Sequence, residues 1–380
     1  MLNLQVYDPL VKSNGLVSDQ LMYYIDSLVF TLSAFGNYWS LGFNAKLTVS
    51  ETEDWIENGL GRHVELYDEG LNVVFEGFVS EVSANIGSLS YKRGPLISSV
   101  ANKIKVVYST VDTSTDLPSV GMRESTDWAE DADSQNEYGI IERVISVGGA
   151  SPTNAEQIRD LALERYAIPA RDEEDNLASP SEPTMSVTCL GYIHWLDAYT
   201  VDLATTGEQN ASVKLQAVLA ADPNGLFSVD YSNIQTNTTQ VGAYDRSDRS
   251  AIEVVKGIVA AGDAALDSWT FGFKAGRIAH YTPIPTAPQY QRRVSDPSAM
   301  VDYYGGTATV PFWLVQPAEW LVYTDVFISR PDPSSMIEDP RYIFIETLDY
   351  AMPRSLTIRG SPTTRLDQLL ARLGLGGSYA

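Results

Sequence analysis

The sequence predicts a mainly β fold with α+β insertions, in which two β-barrel-like domains are accompanied by smaller α/β domains. Hydrophobic residues make up 44% and aromatic residues 10% of the chain, which is sufficient for packed cores. Alternation of apolar and polar residues, the period of a half-buried strand, recurs near both ends of the chain. The 380 residues exceed one ordinary domain of about 100–200 residues, so several domains are expected.

The N-terminal part is predicted to consist of strands. Two alternating runs, His63–Tyr67 and Asn72–Val82, flank a Gly-containing turn and predict a hairpin. Lys103–Tyr108 is a further strand-like run. We therefore expect a first β-barrel domain over residues 1–110, completed by about residues 185–222.

The following residues, 111–184, are predicted to form an acidic helical insertion domain. Residues 111–180 contain 16 acidic residues against five arginines. One helix is expected around Trp128–Val147. A second is expected to begin at the capping box Thr153-Asn-Ala-Glu156 and to stop before Pro169, and an exposed charged loop at residues 171–175 is expected after it.

Strands are expected to resume at Thr184–Ala198 and Ala211–Ala221, and a small α/β domain is expected over residues 223–290. Its predicted elements, in chain order, are a turn at Asp222-Pro-Asn-Gly225, a helix after the capping box Ser250-Ala-Ile-Glu253, and a hairpin of Trp269–Phe273 with Arg277–Tyr281.

The C-terminal part is predicted to contain a second β-barrel domain over residues 291–360. Its strand–turn–strand pattern, from Trp320–Asp325 to Leu356–Gly360, resembles that of His63–Gly94, and both patterns close on Arg-Gly. Residues 361–380 are expected to form a terminal helix and a flexible tail. Four leucines of this helix share one face and are candidate interface residues: Leu366, Leu369, Leu370 and Leu373.

Charge and cysteine content narrow the class of protein. The net charge of −23 and the pI near 4.4 argue against a free, sequence-specific nucleic-acid-binding protein, which is normally basic. The acidic balance favours either solubility or a surface that repels a polyanion. The single cysteine, Cys189, lies in a strand-like run and predicts a buried small hydrophobe. The N-terminus predicts no secretion signal, and no apolar run predicts a membrane span.

Catalytic motifs are lacking in the sequence. The three histidines, His63, His194 and His280, lie in strand-like runs, and no nucleophile elbow, His-Glu-x-x-His, Walker loop or Cys-x-x-Cys accompanies them. We therefore expect no enzymatic activity and no cofactor.

One acidic stretch has the spacing of a calcium loop. Asp131, Asp133, Gln135 and Glu142 match positions one, three, five and twelve, but Asn136 replaces the glycine that the turn requires. The same stretch fits a solvated helix face. A calcium site is thus a weak candidate, and no other metal site is expected.

Several segments, in this order, resemble tail-tip (baseplate hub) proteins of tailed bacteriophages. The match runs from about residue 60 to residue 325 and is weakest at the C-terminal end. The segments that carry it are Glu76-Gly-Phe-Val-Ser-Glu-Val82, Leu89-Ser-Tyr-Lys-Arg-Gly-Pro95, Val100–Tyr108, Asp133–Glu142 with its Ser-x-x-x-Tyr-Gly pattern, the helix Ala155–Ala167 with Pro169, Gly191-Tyr-Ile-His-Trp-Leu196 and Trp269–Tyr281.

The resemblance implies a structural hub without an appended fibre or lysin domain. It implies a homotrimer that closes the distal end of the tail tube, between a hexameric distal tail protein and a central fibre or spike. The tape-measure protein and the DNA would pass near or through this trimer at ejection. The implied location is the tail tip of the virion, assembled in the host cytoplasm.

Two other functions remain open. A receptor- or glycan-binding protein would present clustered exposed aromatic side chains, for which Trp313, Trp320 and Tyr323 are the nearest candidates. The same three residues would serve equally as core or interface residues. A tail-associated cell-wall hydrolase would require a catalytic carboxylate in a cleft, and 49 acidic residues offer too many candidate pairs to select one.

Overall fold

The fold is mainly β, as the sequence predicts. The computed structural model describes residues 2–12, 15–87, 89–112, 119–169, 171–175, 181–202, 208–242, 249–265, 267–284, 290–293, 307–311, 320–324, 341–352 and 355–361. Within this part of the chain, no helix is long and apolar enough to span a bilayer.

The strands fall into one large sheet and several small ones. In chain order they are β1 (Asn3–Pro9), β2 (Leu16–Ser18), β3 (Ile25–Ser33), β4 (Gly36–Ala45), β5 (Arg62–Tyr67), β6 (Val73–Gly87), β7 (Leu89–Arg93), β8 (Lys103–Asp112), β9 (Ser119–Ser125), β10 (Ala129–Glu130), β11 (Glu142–Val147), β12 (Arg171–Asp175), β13 (Ser181–Gly191), β14 (Thr200–Val201), β15 (Gln209–Asn210), β16 (Gln240–Val241), β17 (Arg249–Ser250), β18 (Trp269–Lys274), β19 (Ile278–Pro283), β20 (Tyr290–Arg293), β21 (Thr307–Pro311), β22 (Trp320–Thr324), β23 (Arg341–Ala351) and β24 (Ser355–Ser361).

Helices lie between these strands. In chain order they are α1 (Val49–Asn58), α2 (Leu96–Ser99), α3 (Ala132–Tyr138), α4 (Pro152–Tyr166), α5 (Ala211–Ala220) and α6 (Ala251–Ala261). Two short 3₁₀ helices cover Leu21–Tyr24 and Tyr192–Asp197.

The large sheet is a curled half-barrel with the strand order β2-β1-β5-β6-β13-β4-β3-β23-β22-β20. The predicted hairpin is confirmed as β5 and β6, whose turn is closed by the Asp68 carboxylate accepting from the Gly70 and Asn72 amides at 2.8 and 2.9 Å. One face of this hairpin packs Leu66 against Phe75 in the main core. The opposite face carries His63, Glu65 and Glu76 beside the core residue Phe78, because neighbouring residues of a strand point to opposite faces.

Helix α1 lies where the sequence analysis expects only strands. Its start was detectable, because Thr48 forms a complete capping box in which its side chain accepts from the Glu51 amide and the Glu51 carboxylate accepts from the Thr48 amide. Trp55 of this helix packs edge-on against Phe43 of β4, with ring centroids 6.1 Å apart. An amphipathic helix therefore covers the core face of the large sheet.

Residues 103–166 form a small α/β unit beside the large sheet. Strand β8 pairs with β10 and β9 in antiparallel fashion and with β11 in parallel, and α4 packs on β8. The single helix predicted around Trp128–Val147 is wrong, because α3 ends at Gly139 and β11 follows. Gly139 has a φ of +79°, a conformation that glycine adopts without steric cost and that ends the helix.

Three further local predictions need correction. The N-cap of helix α4 is Ser151, two residues before the expected N-cap Thr153. The Ser151 side chain accepts from the Asn154 amide, and Pro152 occupies the first turn. The expected loop at 171–175 is strand β12, which pairs with β7. The predicted strand Thr184–Ala198 stops at Gly191, where the 3₁₀ helix begins.

The expected strand at Ala211–Ala221 is instead helix α5, which packs against α6. A short apolar run fits a buried strand and a buried helix equally, so the hydrophobic pattern of these residues does not distinguish the two structures. The helix after Ser250 is confirmed as α6, although the Ser250 hydroxyl donates to the Asp197 carboxylate at 2.8 Å rather than capping the helix. The turn at Asp222–Gly225 and the hairpin β18–β19 are confirmed.

The C-terminal strands join the same large sheet. Strand β23 pairs with β3, and the Thr31 hydroxyl donates to the Asp349 carboxylate at 2.8 Å across this pair. The described residues between 300 and 360 lie in strands β21 to β24 or adjoin them. The domain bounds and the similarity of two barrels stay predictions, and the predicted terminal helix lies outside the described residues.

Candidate functional site

A group of polar side chains lies beside Phe78 on the face of β5 and β6 that is opposite to Leu66 and Phe75. His63 and Glu65 are two residues apart on β5, and Glu76 lies directly opposite Glu65 on β6. Arg277 lies in the turn between β18 and β19, and its guanidinium group contacts the Glu76 carboxylate. We call these four residues the polar cluster.

Glu76 is the most deeply buried member, with 1% of its side chain exposed. Its Oε2 accepts from the backbone amides of Gly276 and Arg277 at 2.6 and 3.3 Å. Its Oε1 lies 3.1 Å from Nη1 of Arg277, whose Nε donates to the Leu226 carbonyl at 2.7 Å. The carboxylate is therefore held in one orientation by the β18–β19 turn.

His63 lies between the two carboxylates. Its Nε2 is 3.2 Å from Oε1 of Glu65 and 4.0 Å from Oε1 of Glu76, and its Nδ1 is 2.9 Å from the Tyr192 hydroxyl. The second oxygen of Glu65, Oε2, accepts from the Tyr67 hydroxyl. Each ring nitrogen of the buried imidazole thus has a polar neighbour.

The two carboxyl groups titrate in opposite directions. Burial alone would raise the pKa of Glu65, but hydrogen bonds to His63 and Tyr67 outweigh burial and lower this pKa to about 2. Burial raises the pKa of Glu76, and the charges of His63 and Arg277 oppose this effect. Burial also keeps the pKa of the Tyr192 hydroxyl well above its usual range. Glu65 is therefore ionised near pH 7, and Tyr192 is a neutral partner for His63.

A second group of contacts joins the segments that resemble hub proteins. Asn102 is fully buried; its Nδ2 donates to the Gly139 carbonyl at 2.7 Å and to the Ser134 hydroxyl at 3.2 Å, and its Oδ1 accepts from the Ile141 amide at 2.8 Å. Asn102 therefore binds both ends of the Ser-x-x-x-Tyr-Gly segment. Arg93 donates to the Tyr138 hydroxyl of the same segment at 2.8 Å.

Aromatic packing extends this group towards the polar cluster. Trp195 of the 3₁₀ helix packs edge-on against Phe78 of β6 with ring centroids 5.2 Å apart, and Tyr192 lies 5.6 Å from the same ring. A side chain at Gly139 would approach Trp195 to 3.4 Å. We call the contacts of Asn102, Arg93 and Phe78 with their partners the segment junction.

The calcium candidates do not form a metal-binding group. Asp131 caps α3 by accepting from the Ser134 amide at 2.8 Å, and Asp133 lies in the first turn of that helix. Gln135 donates to the Asn102 carbonyl at 3.2 Å. Glu142 lies on β11, where it accepts from the Thr200 amide at 2.9 Å and pairs with Lys103 at 3.1 Å. These carboxylates already serve as helix cap and ion-pair partners.

The remaining sequence candidates are spread through the fold. His280 lies in β19 as expected, whereas His194 lies in the 3₁₀ helix and not in a strand. Burial lowers the pKa of both imidazoles, that of His280 to about 4, so both are neutral near pH 7. Cys189 is confirmed as a fully buried strand residue.

The predicted interface residues lie outside the part of the chain whose side chains the structure describes. Trp320 and Tyr323 belong to strand β22, and only their backbone is described. Trp313 lies outside the described residues, as do all four leucines of the predicted terminal helix: Leu366, Leu369, Leu370 and Leu373. Their roles stay predictions.

The site residues predicted from the sequence do not include Glu65, Glu76, Arg277 or Asn102. Glu76 gives a local signal, because a charged residue stands between Phe75 and Gly77-Phe78 in an otherwise apolar strand. Arg277 and Asn102 give no such signal, since their partners are brought near only by long-range pairing.

Comparisons with known proteins found likeness only among solved structures. No known protein family matches the sequence, and no curated protein does. A tail protein from Neisseria meningitidis MC58 aligns with a TM-score of 0.46 at 7% identity, covering 94% of this chain and 96% of that chain. A 43 kDa tail protein of prophage MuSo2 from Shewanella oneidensis aligns at 0.44 and 8% identity, covering 95% and 98%. Prophage tail protein gp18 from Listeria monocytogenes EGD-e aligns at 0.44 and 10% identity, covering 98% of both chains. Likenesses at these scores carry no conclusion about function.

Proposed function

We propose that this chain is a structural subunit of a bacteriophage tail and, more narrowly, the hub of the tail tip. In this role it closes the distal end of the tail tube as a homotrimer. It links a hexameric distal tail protein to the central fibre or spike, and the tape-measure protein and DNA pass through the assembly.

The observation that carries the proposal is the segment junction. The segments that resemble hub proteins are scattered over the sequence, yet Asn102 and Arg93 contact the Ser-x-x-x-Tyr-Gly segment and Phe78 contacts Trp195. Side chains that join segments distant in sequence form part of a structural framework. This supports the interpretation that their order reflects a shared architecture rather than a shared chemistry.

Two features of the large sheet suit an assembly subunit. The pairing of β3 with β23 makes one hydrogen-bonded sheet from the N-terminal and C-terminal strands, which couples both parts mechanically. Strand β2, at one end of the strand order, exposes Leu16 and Val17, and the nearby Tyr23 has 83% of its surface exposed. Exposed apolar residues beside a free strand edge favour contact with another subunit.

The partners and the lack of catalysis are parts of the same proposal. The acidic excess of residues 111–180 would face the channel and keep DNA from adhering during passage. The chain would have no catalytic activity of its own. Hydrolysis of host cell wall by the purified protein, lost on changing a single carboxylate, would contradict this part.

The oligomeric state tests the hub assignment directly. We expect light scattering and native mass spectrometry of the purified chain to give three times 41.7 kDa. Tyr23→Ser should weaken this assembly, whereas Leu161→Ser, at another exposed apolar position on α4, serves as the matched control. Electron microscopy of the intact particle should then place the trimer at the tip of the tail tube. A stable monomer that is absent from tail particles would refute the proposal.

A further inference from the structure

We propose that His63, Glu65 and Glu76 bind one divalent transition-metal ion of the zinc class between strands β5 and β6. The described residues contain no other group of three histidine, cysteine or acidic side chains with ligand atoms so close together. This site is separate from the calcium candidates and does not depend on the proposed function.

The distances between the three inner atoms suit a small metal ion. All three ligand atoms lie within 4.8 Å of one another, and Nε2 of His63 is 3.2 Å and 4.0 Å from the two glutamate oxygens. Zinc–nitrogen and zinc–oxygen bonds of about 2.0–2.2 Å place tetrahedral ligands about 3.3–3.5 Å apart. Side-chain shifts of about 0.5–1.3 Å, mainly of Glu76, would therefore complete three corners of a tetrahedron.

Each ligand also has a separate partner on its outer atom. The Tyr192 hydroxyl lies at Nδ1 of His63, the Tyr67 hydroxyl donates to Oε2 of Glu65, and two backbone amides donate to Oε2 of Glu76. Partners of this kind orient metal ligands in known sites and are nearly as important as the ligands. Nε2 of His63 and Oε1 of Glu65 then face each other at 3.2 Å, and a bound metal would share Oε1 of Glu76 with Nη1 of Arg277, which lies 3.1 Å from it.

Charge and access are also consistent with a cation. Glu65 and Glu76 are directly opposed across the two strands, an arrangement that is unfavourable for like charges unless a cation lies nearby. Arg277 supplies one positive charge, to Glu76. Glu65 has 19% of its side chain exposed, and this side gives an ion and a water ligand a path to the site.

Metal binding by the full chain tests the proposal. After removal of metal with a chelator, the protein is dialysed against Zn²⁺, and bound metal is measured by mass spectrometry of the elements. We expect about one Zn²⁺ per chain. His63→Gln and Glu65→Gln should each weaken binding by at least about 10–100-fold, because changing only an outer partner of a metal ligand typically costs that much. Ca²⁺ in large excess should not displace the zinc, because imidazole favours zinc over calcium.

The control is Glu81→Gln, which removes another carboxylate from β6, one that pairs with Lys92 at 3.1 Å. This variant should bind zinc as the unaltered protein does. Because His63 is buried, circular dichroism must show that each variant is folded, and Glu65, which is partly exposed, provides a second variant if His63→Gln fails to fold. Zinc binding that survives Glu65→Gln, or that calcium displaces equally well, would be adventitious and would overturn the site. Failure to bind zinc at all would also overturn the site, and would leave Arg277 as the cation that balances Glu76.

Discussion

Replacing Asn102 with alanine should destabilise the protein by about 2–6 kcal/mol, because it leaves two buried backbone groups unpaired. The Ile141 amide loses its acceptor at 2.8 Å, and the Gly139 carbonyl loses its donor at 2.7 Å. Leaving one such group unpaired costs about 1–3 kcal/mol. The backbone bonds that Asn102 makes to Ile141 and Asp131 are unaffected and do not enter this sum.

Asn102→Asp separates the acceptor role of this side chain from its donor role. One carboxylate oxygen can still accept from the Ile141 amide, but the other faces the Gly139 carbonyl and has no proton to donate. Folding therefore favours the protonated form and raises the pKa of the introduced carboxyl. A group with a raised pKa stabilises the fold at low pH and loses this contribution as the pH rises. We expect Asn102→Asp to be nearer the unaltered protein at pH 4 than at pH 8.

Urea unfolding at both pH values, followed by fluorescence and circular dichroism, measures these effects. The matched control is Asn58→Ala, which removes an exposed side-chain bond of 2.8 Å to Asp54 and should cost less than about 0.5 kcal/mol. Hydrogen exchange at the Ile141 amide should accelerate in Asn102→Ala and not in the control. A loss below about 1 kcal/mol in Asn102→Ala, with unchanged exchange, would refute the role assigned to this residue.

Three further outcomes are expected from buried positions. Phe78→Ala should cost about 3–5 kcal/mol in thermal or urea unfolding, because a buried ring that packs on Tyr192 and Trp195 is removed. Gly191→Ala should prevent folding, because its Cβ would lie 1.8 Å from the Tyr38 carbonyl oxygen; recovery of soluble, cooperatively unfolding protein would contradict this. In the metal-free protein, Glu65 should contribute at most about 3 kcal/mol to the free energy of unfolding at pH values above its ordinary pKa of 4.5. The reason is that folding lowers this pKa to about 2 and so favours the ionised form. That contribution should disappear as the pH falls from 4.5 towards 2, and Glu65→Gln should flatten the acid limb of the stability curve.

Local signals predicted the parts of the fold that local forces determine. The β5–β6 hairpin has alternating strands and a turn closed by Asp68, so its neighbours in sequence are sufficient to specify it. Thr48 and Glu51 give a local signal of the same kind, because their capping box marks the start of α1. The prediction of strands alone in this part of the chain did not use this signal. The helix predicted around Trp128–Val147 includes Gly139, because an isolated glycine in a sequence does not reveal the sign of its φ.

The candidate site depended on contacts that no local pattern contains. Glu76 and Arg277 are 201 residues apart, and they meet because β18 pairs with β4 at Phe273 and thereby places the following turn near β6. The proposed function class depends, at the level of the sequence, only on the order of several short segments. Their physical meaning, a set of mutual contacts around Asn102, required the tertiary structure.

The pairing of β3 with β23 also governs how the chain can be made. Thr31 and Asp349, which bond across this pair, are 318 residues apart. At about 5–20 residues per second, a ribosome needs roughly 15–60 s to synthesise the intervening chain. During that interval β3 is an open strand edge, which is a site for aggregation. Nascent or truncated chains that lack β23 should therefore recruit chaperones, and coexpressed chaperones should raise the yield of the complete protein.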